Sequence, residues 1–83
     1  KTLIQMSMIV RLNASDTVGV ARQTLLPGQD GATERIPRGH KMALEPIAKG
    51  QPVRKYAQVI GFASQDIAPG DHVHLHNLEG GLR

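Results

Sequence analysis

Four short phrases punctuate the sequence: Leu26-Pro27-Gly28, Ile36-Pro37-Arg38-Gly39, Ile47-Ala48-Lys49-Gly50 and Ile67-Ala68-Pro69-Gly70. Each sets an aliphatic residue shortly before a glycine, and three of them hold a proline between the two. Proline fixes φ near the value that the second position of a turn needs, and glycine accepts the positive φ that other residues resist. The aliphatic residue ahead of each corner is expected to drop into the core. Corners at intervals of roughly 10–20 residues, with short β-prone runs between them, predict a mostly β domain of short strands joined by Gly/Pro turns.

The runs between the corners fit that reading. Ser7 to Leu12 places Met8, Val10 and Leu12 on one face and Ile9 on the other, a first strand. Thr17 to Ala21 alternates again with Val18 and Val20 inward, either a second strand or a very short helical turn. Gly28 to Arg35 is polar and glycine-containing and reads as a mobile loop. Met42-Ala43-Leu44 is a short apolar run that Glu45-Pro46 ends, because proline pushes its predecessor out of the helical region. Gln51 to Tyr56 is a strand with its proline near the start, and Val59 to Ala63, the most apolar segment, is expected in the central core. Within it Gly61 allows a close backbone approach or a bulge. The expected organisation is an irregular or tag-derived start over 1–6, one domain over 7–78, and a flexible exit over 79–83 that could lead into a larger domain.

Chemistry concentrates in Asp71-His72-Val73-His74-Leu75-His76-Asn77. If this segment is a strand, His72, His74 and His76 share one face, and Val73 and Leu75 anchor the other. Imidazole is the commonest protein metal ligand and titrates near neutrality. Neighbours on one strand face lie roughly 6.6 Å apart, so at most two of the three are expected to share an ion. A row of solvated surface histidines is the competing reading. No glutamate adjoins the row, and Asp71, the nearest carboxylate, sits at its start.

Composition narrows the partners. Aromatic residues make up 2% of the 83 positions, which leaves an aliphatic core and almost nothing for nucleic-acid bases to stack on. The net charge of +3 is compatible with a small anionic ligand. The sequence contains no cysteine, which excludes a disulfide scaffold and thiolate zinc sites and is compatible with a reducing cytoplasm. No apolar run has the length of a membrane span. Neither a nucleic-acid nor a membrane partner is expected, and a homo-oligomer is compatible with the sequence.

Ile36-Pro37-Arg38-Gly39-His40-Lys41-Met42-Ala43-Leu44, then Ile47-Ala48-Lys49-Gly50, Val53-Arg54-Lys55-Tyr56, Ile60-Gly61, Asp66-Ile67-Ala68-Pro69-Gly70 and His72 to Asn77 together resemble the N-terminal SAF domain of the altronate and galactarate dehydratases. The resemblance runs from Asp16 to Leu78 and departs from the family's usual pattern at Ala57, where glycine is preferred, and at Val59, where proline is common. It implies an SAF-type β-clip. It also implies service as the small domain or subunit of a lyase that removes water from a sugar acid to give a 2-keto-3-deoxy acid, with a divalent metal such as iron or manganese.

Taking a proton from the carbon beside a carboxylate and expelling hydroxide needs cationic stabilisation and an acid. On the resemblance, the expected catalytic residues are His40, Lys41 and His72, with Arg38 and Lys55 attracting the substrate carboxylate and His72, His74 and His76 available to metal. The substrate would be an anionic sugar acid, the partner a larger catalytic domain or subunit, and the isolated domain inactive. A non-catalytic ligand-binding or assembly module is the alternative.

Overall fold

The chain, represented by a computed structural model, is described over residues 7–80. The start over 1–6 and the end of the expected exit, 81–83, lie outside the described residues. All four corners form as tight turns. Gly28, Gly39, Gly50 and Gly70 have φ of 93°, 83°, 87° and 92°. In each turn the residue after the glycine donates its N–H to the carbonyl three residues back at 2.9–3.0 Å. The core residue stands three positions before each glycine: Leu25, Ile36, Ile47 and Ile67 are all buried. At the first corner this corrects the sequence reading, because Leu25 is 1% exposed and Leu26 54%. The corners also pair, through the bridges Leu25–Ile36 and Ile47–Ile67.

The described residues form seven short strands before, between and after the corners: β1 (Ile9–Val10), β2 (Val18–Ala21), β3 (Lys41–Ala43), β4 (Pro52–Lys55), β5 (Gln58–Ala63), β6 (His72–Val73) and β7 (Leu78–Glu79). They form two antiparallel sheets, ordered β1-β2-β3-β6 and β4-β5-β7. The architecture is therefore mostly β, as expected of a small β-clip. Among the described residues no helix is long and apolar enough to cross a membrane.

The first sheet has a core on each side, because successive side chains alternate. Val18, Ala43 and Val73 face a cluster with Ile47, Val53, Ala63 and Ile67. Ala21 and Met42 face a second cluster with Leu25, Ala32 and Ile36. Several expectations shift. The first strand shortens to two residues and leaves Leu12 exposed; Val59, in the segment expected to be central, is also exposed. The core of the second sheet rests instead on Val53 and Ala63. Gly61 does serve a close approach, since a Cβ there would overlap the Glu79 carbonyl. The register moves from Val53–Gly61 to Arg54–Val59, which leaves Ile60 as a bulge beside it. Glu79, read as the start of the exit, still belongs to β7. The stretch read as a mobile loop is instead anchored: it holds the 3-10 turn Gln29–Gly31, buries Ala32 and bonds through Thr33 to Gly70.

The β4–β5 hairpin turns on Tyr56 and Ala57, both at positive φ (53° and 65°). A two-residue loop of this kind favours glycine. The Asp16 carboxylate, buried beneath it, accepts the Ala57 N–H at 2.7 Å. Burial pushes that carboxyl up, but the N–H groups of Ala57, Tyr56 and Asn13, with the charge of Arg11, outweigh it and hold the group below its ordinary value. A left-handed alanine costs about 1–2 kcal/mol, and added glycine flexibility returns about half of that. Ala57→Gly is accordingly expected to raise unfolding stability by about 0.5–1 kcal/mol, read from urea denaturation. An unchanged or lower midpoint would show that the turn carries no such strain.

Candidate metal centre

The corner ending at Gly39 delivers His40 to the start of β3, and the register of β3 with β6 sets Met42 opposite His72. Cross-strand partners share a face, so His40, Met42 and His72 lie on one side of the sheet and Lys41, Ala43 and Val73 on the other. The imidazoles stand beside the Met42 core while Val73 is buried in the opposite one.

The histidine segment is not a continuous strand. β6 ends at Val73, and the side chain of buried Asn77 folds the chain back. Its Oδ1 accepts the His74 N–H at 2.9 Å, and its Nδ2 donates to the His72 carbonyl at 2.9 Å. The backbone N–H groups of Asn77 and Leu78 both donate to the His74 carbonyl. This turn corrects the expected ladder: Leu75 does not anchor a strand face but is 84% exposed.

The turn nonetheless keeps His74 with the other rings. Ring centroids of His40 and His72 are 5.0 Å apart, of His40 and His74 4.6 Å, and of His72 and His74 5.3 Å. His40 Nδ1 lies 2.8 Å from His72 Nε2, and one nitrogen from each of the three rings falls within 4.8 Å of the others. His76 is exposed and outside this group, its ring tilted 5.6 Å from that of His72. Nitrogens sharing one ion at about 2.0–2.2 Å lie roughly 3–3.5 Å apart, a spacing bracketed by the 2.8 Å contact of His40 with His72 and the 4.8 Å bound on the three. Burial first, then the neighbouring charges of His40, His74 and His76, lower the His72 pKa against an opposing pull from Glu34. A proton is thereby disfavoured on the central ring, and neutral imidazole is the ligating form. Donors of this kind suit iron or zinc, whereas manganese prefers oxygen.

Lys41 is not part of this group. It is half-buried on the far face of β3, its pKa lowered by burial and by the charge of Lys55. Lys55 places its Nζ 4.8 Å from the centre of the Tyr56 ring. Arg38 is exposed on the corner before His40, and its N–H bonds to the Thr24 hydroxyl. Sequence reasoning missed Glu34: its Oε2 accepts the His72 backbone N–H at 3.1 Å across 38 residues of chain, a closeness no local pattern signals.

The family profile described as the altronate/galactarate dehydratase SAF domain matches residues 7–81. The chain is similar to altronate dehydratase of Escherichia coli (strain K12), with 41% identity over 81 residues, covering 88% of this chain and 16% of the relative. To altronate dehydratase of Bacillus subtilis (strain 168) it is 33% identical over 85 residues, 93% of this chain and 17% of the relative. The (2R)-sulfolactate sulfo-lyase subunit alpha of Chromohalobacter salexigens is 44% identical over 46 residues, 55% of this chain and 49% of that subunit. The chain thus spans about one sixth of the length of the two dehydratases.

Proposed function

Since the chain belongs to the family of altronate/galactarate dehydratase SAF domains, we propose that it is the small β domain of a sugar-acid lyase and contributes imidazole ligands to its metal. The observation that carries this reading is the convergence of His40, His72 and His74 nitrogens within 4.8 Å. A divalent ion held there, with iron(II) the better match to nitrogen donors, would supply Lewis-acid stabilisation for the charge that develops as the proton leaves the carbon beside the carboxylate.

The protein's own groups have separate tasks. His40, His72 and His74 hold the ion, their backbones fixed by the β3–β6 register and by the Asn77 turn. Arg38, exposed two residues before His40, attracts the substrate carboxylate. Lys41 and Lys55 add positive potential from the other face of the sheet, where they draw anions toward the domain without touching the same substrate atoms. The remaining catalytic groups come from a larger domain or subunit, in line with the share of the dehydratases that this chain covers.

Titrating the 83-residue chain with Fe2+ under anaerobic conditions, and with Zn2+ and Mn2+, is expected to show one tight site per chain, with manganese the weakest. The same chain should leave altronate unchanged until a large dehydratase partner is added. Absence of divalent binding overturns the metal reading, and turnover by the chain alone overturns the division of labour. The likeness to a sulfolactate sulfo-lyase subunit carries a second reading, elimination from a sulfonated hydroxy acid. Sulfolactate as the competing substrate in the partnered assay separates the two.

A further inference from the structure

Two carboxylates lie near the histidine cluster, and they differ in what they already hold. Asp71 adjoins His72 in sequence, yet both of its oxygens are engaged: Oδ1 accepts the Thr33 hydroxyl of the 28–35 loop at 2.6 Å, and Oδ2 accepts the Ala68 N–H of the corner at 3.0 Å. Glu34 comes from the distant 28–35 loop and uses one oxygen on the His72 N–H at 3.1 Å. Its other oxygen carries no hydrogen bond among the described residues.

The placement of Glu34 is built into the fold. Thr33 donates its N–H to the Gly70 carbonyl at 2.9 Å, and its hydroxyl, whose proton points to Asp71, lies 3.2 Å from the same carbonyl. The loop passes so close to Gly70 that a Cβ there would overlap the Gly31 carbonyl oxygen and crowd Thr33. Residues 33 and 34 are thus laid along residues 70 to 72, and the only side chain they bring to His72 is anionic. An exposed hydrogen bond of this sort adds little to stability. Its electrostatic effect is larger: three neutral imidazoles bring no charge against a dication, and a carboxylate beside them supplies one.

We infer that Glu34 is the acidic member of the metal centre, a positioning residue that charge-balances the cation held by His40, His72 and His74 while fixing the His72 backbone. This rests on the metal reading above.

The test compares Zn2+ affinity by calorimetry in the 83-residue chain and in Glu34→Gln and Glu34→Ala, with the His72 amide followed by NMR. Glutamine keeps an oxygen for the His72 N–H and loses only the charge. Both variants are expected to bind about tenfold more weakly, with the His72 amide shifted in Ala and near its original position in Gln. Wild-type affinity in Gln with loss only in Ala would reduce Glu34 to a backbone anchor, and wild-type affinity in both would remove it from the site; either overturns the inference and leaves the metal reading standing. A parent chain that binds no Zn2+ overturns both.

Discussion

His72→Ala is expected to weaken divalent-metal binding about a hundredfold or more while leaving the domain folded. His72 is the hub of the cluster. Its Nε2 lies 2.8 Å from His40 Nδ1, and its ring packs within 5.0–5.6 Å of the rings of His40, His74 and His76. Removing it leaves only two of the three convergent donors, on His40 and His74, whereas His76→Ala deletes an exposed ring outside the convergent group and should change affinity by less than about threefold. The fold should tolerate the change, because β6 is anchored by buried Val73 on the other face, so unfolding stability without metal should move by less than about 1 kcal/mol. Calorimetry on the two variants checks the contrast, and equal losses would mean that the cluster has no centre.

The same ring sets a direction with pH. Burial and neighbouring positive charge hold the His72 pKa below its ordinary 6.5. The unfolded chain therefore takes up this proton first as pH falls, and its contribution to stability is present above 6.5 and lost below it. Metal release should follow the same sign, with binding kept somewhat below pH 6.5 and lost on further acidification. Binding that strengthened toward acid would contradict the imidazole assignment.

How much of this could be read from sequence depended on the range of the interaction. The corners were legible because a positive φ at glycine and a buried aliphatic residue are local requirements. Only the frame slipped, from Leu25 to Leu26, where two leucines stand together and the Leu25–Ile36 bridge decides between them. The histidine ladder failed for a reason also present in the sequence but differently weighted. Asn77 offers the backbone an alternative to strand pairing, and its two side-chain bonds turn the chain after Val73. His40 could be suspected from its neighbours, but its meeting with His72 depends on the β3–β6 register, and the same register sends Lys41 to the opposite face. Glu34 was invisible, because a polar loop read as mobile reveals nothing about which carbonyls it is laid upon.

That loop makes the second large effect. Gly70→Ala should destabilise the domain by about 3 kcal/mol or more, against about 1 kcal/mol for Gly50→Ala. Both glycines sit at the same place in equivalent corners, with φ of 92° and 87°, so the backbone strain added by a methyl group is shared. The surroundings differ. A Cβ on Gly50 meets nothing within 4 Å, while one on Gly70 collides with the Gly31 carbonyl oxygen, a backbone atom that cannot swing aside as a side-chain tip can, and crowds the Thr33 methyl group and N–H. The excess cost is therefore the cost of lifting the 31–34 loop from the β6 entry. For a domain of this size, whose whole stability is on the order of 4–12 kcal/mol, that is a large fraction. Urea midpoints give the two costs. Hydrogen exchange locates the difference, since the Thr33 and His72 amides, which bond to Gly70 and Glu34, should lose protection in Gly70→Ala and keep it in Gly50→Ala. Equal midpoints for the two variants would show that the loop yields freely, and a loop that yields freely could not hold Glu34 against the histidines.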